Sequence, residues 1–105
     1  MPKEQIIVIC HPNHQNLEFA ARIIQSITVE SLMITIILIQ DGVYYARSIP
    51  DEMRNAKHSV TILALKEDVL ARGLQNQLAS EIQQINYEEM VDILMRSNKN
   101  LISLA

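Results

Sequence analysis

The run Leu32-Met33-Ile34-Thr35-Ile36-Ile37-Leu38-Ile39, closed by Gln40-Asp41-Gly42, constrains the fold of this chain more than any other stretch. It carries no charge, is almost continuously apolar and is dominated by β-branched residues. A strand of that kind needs both faces shielded from water, as in the middle of a parallel sheet. The polar Gln-Asp-Gly then ends it, at the edge where open α/β sheets place ligands and partner contacts.

Other segments fall into place around this strand. Ile6-Ile7-Val8-Ile9-Cys10 reads as a second short buried strand, broken by His11-Pro12-Asn13-His14-Gln15-Asn16, where Pro12 removes a backbone donor. Asn13 or Asn16 can cap the helix that follows, from about Leu17 to Ile27. Its Leu17, Ala20, Ala21, Ile24 and Ile27 share one face, with Glu18, Arg22 and Gln25 opposite. Strand, helix and central strand make a βαβ unit with a right-handed crossover. Val43 to Arg47 is expected to form a helical turn, and Pro50 fits the first position of a short helix whose first turn holds Asp51 and Glu52.

Ser59 to Leu65 is the third strand, and the motif Lys66-Glu67-Asp68-Val69-Leu70-Ala71-Arg72-Gly73 is expected to be one or two turns of helix that Gly73 stops. Leu74 to Glu81 is ambiguous, and Ile82 to Ile85 reads as a short fourth strand. Asn86-Tyr87-Glu88-Glu89 has the form of a capping box, continued by the helical stripe Met90, Val91, Leu94 and Met95. Leu101 to Leu104 closes the sheet as a fifth, edge strand. Strands alternating with helices predict a three-layer α/β/α sandwich around a mainly parallel sheet of about five strands.

Length and composition narrow the function. At 105 residues the chain can build one sizeable core and not two, so one domain over 1–105 is expected. Aromatics are only 4%, which leaves Ile, Leu, Val and Met to fill that core. The net charge of -3 and the absence of a Lys/Arg cluster with interleaved aromatics argue against direct nucleic-acid binding. One cysteine rules out an internal disulfide, and no signal-peptide pattern precedes the first strand, so a cytoplasmic protein is expected. Gln25 and Glu30 interrupt the longest apolar region, leaving about half of the roughly 20 residues a membrane span requires.

Candidate chemistry is sparse. Cys10 lies at a strand's carboxyl end shortly before a helix, where a thiolate can be stabilised for nucleophilic or persulfide chemistry; the competing reading is a small hydrophobe closing the strand. Cys10, His11 and His14 are soft-metal ligand types, but a fourth ligand is missing and no metal is expected. His58 reads as a surface residue. Asp41 can orient a ligand or simply bend the chain beside Gly42, and Glu67 with Asp68 can act as paired carboxylates or as favourable charge at a helix start. Two glycines cannot make a phosphate loop, and no cofactor is expected. Tyr44 and Tyr45 can both present an aromatic contact surface, or one can enter the core.

Leu38-Ile39-Gln40-Asp41-Gly42-Val43-Tyr44, then Ala64-Leu65-Lys66-Glu67-Asp68-Val69-Leu70-Ala71-Arg72-Gly73-Leu74, then Ile85-Asn86-Tyr87-Glu88-Glu89-Met90-Val91 together resemble the DsrH/TusB family. The resemblance covers roughly the last two-thirds of the chain, in the right order and spacing. It implies a small α/β protein of the DsrE/DsrF/DsrH superfamily, one subunit of a sulfur-relay assembly with DsrE-type and DsrF-type sister subunits in a dimer of trimers. The TusB-like branch serves 2-thiolation of the tRNA wobble uridine, and the DsrH-like branch sulfur trafficking in sulfur oxidation. DsrH-like members carry a cysteine in the first helix; here Ala20 or Ala21 stands there. The resemblance therefore implies an accessory subunit, with Gln40, Asp41, Gly42, Tyr44, Tyr45, Glu67, Asp68 and Arg72 shaping a partner interface. Two rivals stand beside it: a sulfurtransferase using Cys10 with help from His11 or His14, and a self-associating α/β module of unrelated role.

Overall fold

A computed structural model describes residues 4–11, 15, 18–20, 22, 33–48, 59–96 and 101–104. Five strands form one sheet: β1 (Glu4–Ile9), β2 (Met33–Leu38), β3 (Ser59–Leu65), β4 (Gln83–Ile85) and β5 (Leu101–Leu104). Their spatial order is β4-β3-β2-β1-β5, and every pairing is parallel. The long apolar run thus forms the middle strand, as its lack of a polar face requires. The register sets Ile7 beside Ile36 and Ile36 beside Ile62, so β-branched side chains run in rows across the sheet.

Strict alternation along the strands sorts the core into two layers. Ile7, Ile9, Ile34, Ile36, Leu38, Ile62 and Ala64 face one side. There they meet Ala20, Val43 and Ala46, and Val69 with Leu74. Ile6, Val8, Ile37, Leu63, Leu65 and Ile85 face the other side, against Met90, Ile93 and Leu94. Helical elements therefore pack on both faces, giving the expected three layers.

Two α-helices are complete among the described residues: α1 (Lys66–Ala71) and α2 (Tyr87–Arg96). The end of α1 is a Schellman motif. Gly73, at φ +67°, donates to the Leu70 carbonyl and Leu74 donates to that of Val69, while the Leu74 and Val69 side chains share one core cluster. The start of α2 is the predicted capping box: the Glu89 amide donates to Asn86 Oδ1 at 2.8 Å, and the Asn86 amide to Glu89 Oε1 at 3.2 Å. The ambiguous stretch Leu74 to Glu81 resolves into turns, pinned where the Ala79 amide donates to the Ala46 carbonyl at 2.7 Å.

After β2 the chain makes a 3₁₀ helix, Gln40–Arg47, which starts earlier than the turn predicted from Val43. Residues 15, 18–20 and 22 are helical; Ala20 is buried while Glu18 and Arg22 are exposed, as the face assignment for the first helix expects. The remainder of that helix, the helix expected at Pro50, and Pro12, Asn13, His14, Asn16, Ala21 and His58 lie outside the described residues. None of the described helices is long and apolar enough to cross a membrane.

Candidate functional site

Strand order decides where a site can form. The chain moves from β1 through β2 and β3 to β4 in one direction, then returns to place β5 on the far side of β1. The reversal beside β1 is a topological switch point, and the carboxyl ends of the strands there are where doubly wound sheets bind ligands and partners. Cys10 and the Gln-Asp-Gly turn meet at this edge. The Cys10 amide donates to the Leu104 carbonyl and the Cys10 carbonyl accepts from the Gly42 amide, each at 3.0 Å. The Cys10 side chain is half-buried against the second core layer. His11 is exposed.

Gly42 is required by space rather than by backbone angle. A Cβ built there would stand 2.2 Å from the Ile9 carbonyl oxygen, so any side chain would push the turn off β1. The strained dihedral belongs to its neighbour: Gln40 has φ +51°, a left-handed conformation that costs a non-glycine residue energy. Asp68 supports it from the first turn of α1. The Gln40 amide donates to Asp68 Oδ2 at 2.7 Å, a charge-assisted bond.

Arg72 adds a second tie. Its Nε donates to Asp41 Oδ1 at 2.9 Å, and its Nη1 donates to the Asp68 carbonyl at 3.3 Å and lies 3.6 Å from the Asp68 carboxylate. Two motifs far apart in sequence are thereby joined by carboxylates and a guanidinium. Asp41 and Asp68 have more than the local roles of bending the chain or charging a helix start. Glu67 likewise reaches out of α1, accepting from the Tyr87 amide at 3.1 Å at the start of α2. Sequence reasoning named these residues and missed their pairings; the sign complementarity of the Asp41 and Asp68 carboxylates with the Arg72 guanidinium was the available clue.

The tethered 3₁₀ helix treats its two tyrosines differently. Tyr45 packs against the first core layer, and burial raises its hydroxyl above the ordinary tyrosine pKa. Tyr44 is exposed, with the Arg47 guanidinium carbon 5.5 Å from its ring centroid. One ring therefore serves the core and the other remains available at the surface. Among the described residues no group of three or more His, Cys, Asp or Glu side chains could hold a metal ion. His14, the third member of the Cys10-His11-His14 set, lies outside them.

The profile of the DsrH-like protein family matches residues 13–100, which includes the Gln40–Arg47 turn and α1 but not Cys10 or His11. The chain belongs to the DsrH/TusB family. Protein TusB of Salmonella arizonae and of Salmonella newport are each 34% identical to it over 64 residues, 58% of this chain and 65% of theirs, so the match spans less than two-thirds of those relatives. The fold is also that of the ychN protein of E. coli, with TM-score 0.75 at 13% identity, covering 99% of this chain and all of that one. A protein of unknown function from Methanobacterium thermoautotrophicum gives TM-score 0.74 at 12% identity, covering 97% of each chain.

Of Ala20 and Ala21, the two residues that the resemblance sets at the first-helix cysteine position, Ala20 is fully buried in the core and Ala21 lies outside the described residues; neither carries a thiol.

Proposed function

We propose that this DsrH/TusB-family chain is an accessory subunit of a sulfur-relay complex. Its carboxyl edge docks sister subunits of the DsrE and DsrF type, and the pathway served is 2-thiolation of the tRNA wobble uridine in the cytoplasm. The observation that carries this reading is the tie between the two family motifs. Asp68 on Gln40 and Arg72 on Asp41 hold the 3₁₀ helix in one conformation, so that exposed Tyr44 and Arg47 stand out from a rigid turn. Tyrosine and arginine on a preorganised support are the residue types that anchor protein interfaces. With alanine at both candidate first-helix positions, Ala20 and Ala21, persulfide sulfur would be carried by a partner's cysteine.

Affinity purification of the chain from its native host tests this. Recovery of DsrE-type and DsrF-type proteins in stable amounts is the expected result, and recovery of the chain alone would overturn the proposal. Loss of 2-thiouridine from tRNA on deletion, with sulfur oxidation unaffected, is expected for the TusB-like pathway; the reverse pattern would assign the chain to sulfur trafficking.

A second reading is favoured by the place of Cys10. It is partly exposed at the switch point of the sheet, between β5 and the Gln-Asp-Gly turn, and could itself accept sulfane sulfur as a persulfide. Mass spectrometry after incubation with a persulfide donor separates the two. The accessory reading expects an unmodified Cys10 and a loaded cysteine on a copurified partner, whereas a gain of one sulfur atom on Cys10 supports the second.

A further inference from the structure

We draw no further inference here: the strongest candidate, the exposed apolar side chains of Leu70 on α1 and Tyr87 on α2, the helices that follow β3 and β4, carries nothing because nothing in the structure shows what covers them.

Discussion

Two glycines in this chain have different physical duties, and substitution should separate them. At Gly42 an added methyl meets the Ile9 carbonyl oxygen at 2.2 Å, so Gly42→Ala must displace the turn from β1; a loss of about 2–3 kcal/mol is expected from urea denaturation. At Gly73 nothing lies within 4 Å of an added methyl, and only the left-handed φ opposes it, so Gly73→Ala should cost about 1 kcal/mol. Asp68 and Arg72 differ in the same way. Asp68→Ala leaves the Gln40 amide without its acceptor, and exchange of that amide with deuterium should speed up markedly, with a stability loss of about 1–2 kcal/mol. Arg72→Ala breaks a pair whose Asp41 side chain is half exposed, and should cost no more than about 1 kcal/mol. Tyr45 supplies a pH test. Its folded-state pKa is raised by desolvation, so the folded chain keeps a proton that the unfolded chain has already lost. Stability is therefore full below the unfolded tyrosine's range and falls as pH climbs through it towards the folded pKa. Denaturation midpoints across that alkaline range should fall less steeply in Tyr45→Phe.

At the scale of elements, local chemistry and burial set the boundaries with little help from the rest of the molecule. β3 runs Ser59–Leu65 as its apolar pattern predicts, and α1 stops at the glycine that supplies its C-terminal motif. The capping box at Asn86 forms because its donors and acceptors are three residues apart, a distance independent of tertiary context. Asn86→Ala is expected to lower stability by about 1 kcal/mol, read from thermal unfolding, and to fray the first turn of α2. The segment after β2 behaved differently: the helical turn expected from Val43 begins at Gln40, as a 3₁₀ helix. Periodicity cannot report this, because the conformation follows from the contact of Gly42 with β1 and the hold of Asp68 on Gln40.

At the scale of the whole molecule, the carboxyl edge can be tested as a docking surface without disturbing the fold. Tyr44→Ala and Arg47→Ala remove exposed groups, so melting temperatures should hardly change, while recovery of sister subunits in copurification should fall severalfold. Retained recovery in both variants would move the docking site elsewhere. What the sequence by itself determined was the inventory of elements, the central position of the Leu32 to Ile39 run, and the residues of the edge. Those follow from short-range patterns: an apolar run needs two covered faces, and caps and turns are written within a few residues. The tertiary structure alone decided how the edge is joined. Asp68 lies 28 residues from Gln40, and Arg72 lies 31 from Asp41. No local periodicity encodes those separations. They close because parallel pairing brings the carboxyl ends of β2 and β3 side by side, and the carboxylates and guanidinium that follow those strands then neutralise one another at one end of the sheet.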